Sequence, residues 1–124
     1  MSINGKYDLQ ERMINFSVSI IELVRKLSES KEARYFGGQI LRSGSAPALI
    51  YAEAQAAESR KDFVHKLKLC QKVLRETSVN LRIMQLTKIA STSEIELVSK
   101  GCEELNAILF TSIKTASNQL SSQS

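Results

Sequence analysis

Residues 59–89 read SRKDFVHKLKLCQKVLRETSVNLRIMQLTKI. Phe63, Leu67, Cys70, Leu74, Thr77, Leu81 and Met84 recur there at alternating spacings of four and three. That is one apolar stripe along a helix. No proline or glycine falls between Arg60 and Ile89, so the spacing predicts an unbroken helix over that span. At 1.5 Å per residue the rod is roughly 43 Å long. Ser59 stands where an N-cap belongs, and Asp62 falls in the first turn.

Working outward, three more stripes appear. Upstream, Phe36, Ile40, Ser43, Pro47, Ile50, Ala54 and Ala57 mark a helix over about 33–58. Gly37-Gly38 weaken it, and Pro47 removes an amide donor, which predicts a kink with Ser43 and Ser45 hydroxyls bonding freed carbonyls. Further upstream, Leu9, Met13, Phe16, Ile20, Leu23 and Leu27 form a stripe opened by Asp8 and Glu11 in capping-box spacing. Downstream, Ser93 and Glu96 repeat that spacing before Ile95, Val98, Cys102, Leu105, Leu109, Ser112 and Ala116. Four amphipathic helices on short loops predict an all-α, antiparallel up-down-up-down four-helix bundle. Residues 1–120 form its single domain, and the polar stretch 121–124 reads as a disordered tail.

The 124 residues suffice for one domain, and 43% apolar with 24% charged side chains excludes wholesale disorder. One proline and five glycines are too few for a turn-rich β sandwich. No run approaches the roughly 20 apolar residues of a membrane span. The first residues lack the basic-then-apolar pattern of a signal peptide, so a soluble, cytoplasmic chain is expected.

Charge is uneven. Residues 60–88 carry eight basic side chains against Asp62 and Glu76, a net +6; the rest holds nine basic against eleven acidic, a net −2. Lys61, His65, Lys68, Lys72, Arg75 and Arg82 each precede a stripe residue by two, about 200° around the helix from it. One long helix thus turns an apolar face inward and a basic face outward. Lys61, Lys68, Lys72, Arg75 and Arg82 are the candidate phosphate contacts for RNA or DNA. A merely solvated face is the plain alternative. No aromatic residue interrupts the basic stripe, so such binding is electrostatic and weakly sequence-specific.

Catalytic chemistry is hard to find. His65 is the single histidine, and Asp62-x-x-His65 is half of a pair that a bundle di-metal site needs twice, so no metal is expected. Cys70 and Cys102 lie on core stripes and read as buried free thiols, suited to a reducing cytoplasm. Glu53 and Glu58 are placed to pair with Arg60 or Lys61 or with a neighbouring subunit. Gly37-Gly38 lacks the Lys-Ser/Thr of a phosphate loop. No cofactor, small-molecule substrate or enzymatic activity is expected.

Apolar residues also lie off the stripes: Val18, Ile21, Val24, Leu41, Leu49, Tyr51, Leu97, Ile108 and Phe110. They read either as a wide core face with scattered surface residues or as a second contact face. Self-association is the favoured reading, and a protein-interaction scaffold is the functional alternative to nucleic-acid binding.

The run from Leu41 to Met84 resembles the four helix bundle protein family, also called S23 or 23S rRNA intervening-sequence proteins. The matching pieces are Arg42-Ser43 with Pro47 behind them, Ala52-Glu53-Ala54, Glu58-Ser59, Asp62-Phe63, His65-Lys66-Leu67 and Arg75-Glu76-Thr77. Where the family commonly has asparagine this chain has Ile50, so no binding role is carried to it. The resemblance implies a bacterial cytoplasmic bundle that assembles into a homo-pentameric ring, with no established enzymatic activity. It also implies a likeness to the accessory variability proteins of diversity-generating retroelements, basic pentamers that work with nucleic acid.

Overall fold

The computed structural model describes residues 5–123, and the side chains of residues 9–121. Four helices follow one another: α1 (Gly5–Arg25), α2 (Lys31–Gln55), α3 (Arg60–Leu86) and α4 (Thr92–Gln123). Each packs against two neighbours, and α1 meets α4, so the bundle closes. Cross-helix contacts fix the directions. Gln10 reaches Ala48 and Ser17 reaches Gly44, so α1 and α2 run antiparallel. Lys66 reaches Glu53 and Thr77 reaches Ser43, so α2 and α3 do too. Lys26 at the end of α1 meets Glu94 at the start of α4.

The stripes of α1, α3 and α4 form the core with small adjustments. Met13, Ile20, Leu67, Leu74, Leu81, Met84, Ile95 and Leu109 are fully buried. In the first turn of α3, Val64 is buried while Phe63 is half-buried, its ring covered by the Arg60 guanidinium at 5.9 Å. The register of α2 differs more. Its buried residues are Ala33, Gly37, Ile40, Ser43, Gly44, Pro47, Ala48, Tyr51 and Ala54. Phe36, Ile50 and Ala57, expected in the stripe, are only half-buried. Tyr51, expected among the off-stripe residues, is 2% exposed. The reason is steric: α2 lies between α1 and α3 and turns its smallest side chains to them, where backbones approach closely.

Helix ends also correct the expectations. Asp8 is no cap, because α1 already runs from Gly5. Ser30 caps α2 by accepting from the Ala33 amide. Ser59 caps α3 as expected, accepting from Asp62 N–H at 3.0 Å. α4 is opened not by Ser93 with Glu96 but two residues earlier: Ser91 Oγ accepts from Glu94 N–H at 3.3 Å and donates to the Glu94 carboxylate at 2.9 Å. α3 ends at Leu86, three residues before Ile89. Lys88 adopts φ 60°, the Lys88 amide donates to Gln85 C=O and the Ile89 amide to Met84 C=O. This is the left-handed cap that usually carries glycine, here with lysine in the glycine's place. α4 runs to Gln123, into the stretch expected to be a tail; Ser124 lies outside the described residues.

α2 is unbroken across Pro47. Ser43 Oγ donates to Gln39 C=O at 3.0 Å, and Ser45 Oγ to Leu41 C=O. Neither serves Ser43 C=O, the carbonyl that Pro47 deprives of its amide. Instead, neighbouring helices donate to carbonyls around the proline: Gln10 Nε2 to Ala48 at 3.0 Å and Cys70 Sγ to Pro47 at 3.6 Å. Ser17 Oγ lies 3.2 Å from Gly44 C=O and 3.1 Å from its own Met13 C=O, one donor shared between two acceptors.

Candidate nucleic-acid interface

Position along α3 decides what each basic residue can do. Lys61, Lys68, Lys72, Arg75 and Arg82 are all exposed, on the side away from the Leu67–Met84 core. Lys68, Lys72 and Arg75 line one open groove of about 550 Å³ between α3 and α2. Lys61 and Arg82 lie beyond its ends, about 21 residues or roughly 31 Å apart along the helix. Arg82 donates to Gln85 Oε1 at 2.8 Å. The other four make no ion pair among the described residues.

Elsewhere in this region positive charge is spent internally. Lys66 donates to Glu53 Oε1 at 2.9 Å, and that bond holds the Lys66 ammonium above its usual pKa. Glu53 therefore pairs with Lys66, not with Arg60 or Lys61 as expected. Glu76, the one acidic residue in the groove, is held by Arg42 at 3.2 Å, and Arg42 also reaches Gln39 Oε1 at 3.3 Å. The Glu76 charge is thereby balanced, and the three groove cations are left in excess.

Below this surface sits a buried polar contact that reasoning from stripes treated as ordinary core. Thr77 Oγ1 lies 2.7 Å from Ser43 Oγ, and both residues are fully buried. Thr77 Oγ1 is also 2.9 Å from Val73 C=O. The signal available in the sequence was two hydroxyls on two apolar stripes, each facing the other helix.

The remaining chemistry is quiet. Cys70 and Cys102 are buried free thiols, pushed up to about 12 chiefly by desolvation, so the thiolate is suppressed at neutral pH. Burial also raises Tyr51, with Cys70 adding to the shift. His65 is exposed. Among the described residues no group of three or more His, Cys, Asp or Glu is placed to hold a metal. No described helix is long and apolar enough to cross a membrane.

The off-stripe apolar residues divide. Val24 and Ile108 pack on the core, Ile21 is half-buried, and Val18 and Leu41 are exposed. Leu49, Leu97 and Phe110 are 67%, 74% and 65% exposed.

Residues 6–111 match the family model described as 23S rRNA-intervening sequence protein. Among solved structures, the chain is similar to a protein of unknown function from the S23 ribosomal protein family of Bacteroides thetaiotaomicron. Identity is 29% and the TM-score 0.81, over 86% of this chain and 98% of that one. The search of curated proteins found no match. The sequence pieces that carried the resemblance meet in pairs across one seam: Arg42 with Glu76, Ser43 with Thr77, and Glu53 with Lys66. In this chain those pieces hold α2 to α3; the basic residues of the outer face stand beside them.

Proposed function

From the premise that this chain belongs to the 23S rRNA-intervening sequence protein family, we propose that it is a non-enzymatic, ring-forming bundle that binds RNA or DNA electrostatically through α3. The observation that carries the reading is the groove in which Lys68, Lys72 and Arg75 converge without a counter-charge of their own. Lys61 and Arg82 extend the same face toward its ends. Three or more unpaired cations on a rigid rod release condensed counterions when phosphates bind, which gives affinity with steep salt dependence.

The ring is part of the same proposal. Leu97 and Phe110 are 13 residues apart on α4, which places them about 140° apart around its axis. Exposed apolar residues on two sides suit a head-to-tail ring, where each subunit offers two different surfaces, better than a two-fold dimer with one. Five copies, the number the family resemblance implied, would concentrate the α3 charge. A bend of α2 at Pro47 and the likeness to the retroelement accessory proteins belong to this reading too. Cytoplasmic location suits its two free thiols.

The test is fluorescence anisotropy of labelled RNA and DNA oligomers across a salt series, with wild type and Lys68→Glu/Lys72→Glu/Arg75→Glu. The expected result is binding that weakens steeply with salt and falls at least about tenfold in the variant. Absence of wild-type binding at low salt would leave the α3 face as a solvated surface and favour the protein-interaction scaffold, with Leu49, Leu97 and Phe110 as contacts. Light scattering reads the ring directly, as five times the 13.8 kDa chain.

A further inference from the structure

We infer that the α2–α3 groove seats an unpaired base, so that the preferred partner is single-stranded rather than duplex nucleic acid. The inference rests on the proposed electrostatic reading and adds the form of the partner to it.

The groove's shape and lining carry the argument. It is a shallow, widely open trough of about 550 Å³, walled by α3 on one side and by Gln39 of α2 on the other. A duplex presents its phosphates on the outside of a stiff cylinder, which can touch the lysines at the rim but cannot enter a trough of that size. A strand with splayed bases can place one base within it. The walls suit such a base. Gln39 comes from α2, Gln71 and Asn80 from α3, and all three are half-buried with their side chains lining the trough. A carboxamide offers both a carbonyl acceptor and amino donors, the complement of the exposed edge of any base. Val79, on the same wall, gives apolar contact in place of an aromatic platform. Lys68, Lys72 and Arg75 lie along about 10 Å of helix, where the phosphates flanking the seated base would pass.

Glu76 fits this arrangement. A bare carboxylate in the trough would repel the backbone, but Arg42 holds it at 3.2 Å. The carboxylate oxygen that Arg42 does not hold would accept from amino groups such as those of adenine and cytosine. The carboxamides therefore contribute base contacts, and the cations contribute phosphate contacts.

The two contributions separate by experiment. The probes are fluorescein-labelled mixed-sequence RNA and DNA 12-mers, each as a single strand and as its duplex, titrated at two salt concentrations. The proteins are wild type, Gln71→Ala/Asn80→Ala and Lys68→Ala/Lys72→Ala, with circular dichroism confirming that each remains helical. Wild type is expected to bind single strands at least about tenfold more tightly than duplex. The amide variant should lose that preference while keeping the wild-type salt dependence, and the lysine variant should lose affinity for both forms. Equal or tighter duplex binding by wild type overturns the inference while leaving the electrostatic reading standing. So does an amide variant with an undiminished single-strand preference. Binding of neither form at low salt overturns both. RNA against DNA shows whether the 2′-hydroxyl adds to the contact.

Discussion

The seam between α2 and α3 and the seam between α1 and α4 belong to the same bundle but are built differently. The first is the most extensive helix contact in the molecule and the second the least. α2 presents Ser43 and Pro47 to α3, where Thr77 and Cys70 reach them, and Gly44 to α1, where Ser17 reaches its carbonyl. The α1–α4 seam is joined by the Lys26–Glu94 ion pair and leaves two clefts, about 260 Å³ beside Phe16 and Gly101 and about 110 Å³ beside Lys26 and Glu94, both smaller than the α2–α3 trough. Leu97 borders both. The difference teaches where the fold is specified: the α2–α3 seam contains the residues that carry the family resemblance and opens only outward, into a polar trough, whereas the α1–α4 seam carries exposed apolar surface at Leu97.

One substitution, made once where α2 packs on α1 and once where α4 does, contrasts the close packing of α2 with the looser α1–α4 seam most sharply. A Cβ added at Gly44 would sit 2.7 Å from Ile20 Cγ1 and 3.1 Å from two other Ile20 carbons, and Ile20 is fully buried. A Cβ at Gly101 would meet Phe16 at 3.5 Å, an ordinary contact. Overpacking costs roughly 1–3 kcal/mol, and replacing a helical glycine by alanine returns about 1. Gly44→Ala should therefore destabilise by up to about 2 kcal/mol, and Gly101→Ala should stabilise by about 1 kcal/mol. Urea denaturation of the two variants reads both. Equal effects of the same sign would show that α2 and α4 pack alike on α1.

A smaller effect tests what holds the tight seam in register. Thr77→Val keeps the shape but removes the buried hydroxyl that meets Ser43, which should cost about 1–2 kcal/mol. Ser43→Ala alone should cost less, because alanine is the better helix former. The double variant should then be more stable than the two single losses predict, with a coupling of about 0.5 kcal/mol or more. An additive result would mean that each hydroxyl is satisfied by its own helix, Thr77 by Val73 C=O and Ser43 by Gln39 C=O.

These contrasts also explain what could be read from the sequence alone. α1, α3 and α4 bury large side chains at helical spacing, so hydropathy located their inner faces and, by exclusion, the outer placement of Lys68, Lys72 and Arg75. α2 buries glycine, alanine, serine and proline, which carry little hydropathy signal, so a stripe read from hydropathy runs through Phe36 and Ile50 and leaves Tyr51 off it. The end of α3 was hidden because its left-handed cap is Lys88, where a glycine would have announced it. Of the candidate interface, charge and periodicity gave the basic residues. The trough did not follow from them, because Gln39 lies across the seam and the Arg42–Glu76 pair joins residues 34 positions apart.

The smallest effect concerns the surface ion pair between Lys26 and Glu94 at the loose seam. Lys26 Nζ lies 3.0 Å from Glu94 Oε1, and Ser91 Oγ donates to the same carboxylate. The Lys26 bond first and the Ser91 bond second hold Glu94 below the usual carboxylate range. A group whose folded pKa is depressed adds stability above its unfolded pKa of about 4.5 and loses it as pH falls through the folded value. Both side chains meet solvent, so the stability change on breaking the pair should be hard to measure. The titration itself should not be. In Lys26→Ala the Glu94 midpoint, followed by NMR of its side-chain carboxyl carbon, should rise toward the ordinary value and stop short of it, because Ser91 still donates. A midpoint that does not move would mean that the cap alone sets the Glu94 charge. The loose seam would then be joined at that end only by apolar contact, and its contrast with the bonded α2–α3 seam would be wider than the ion pair suggests.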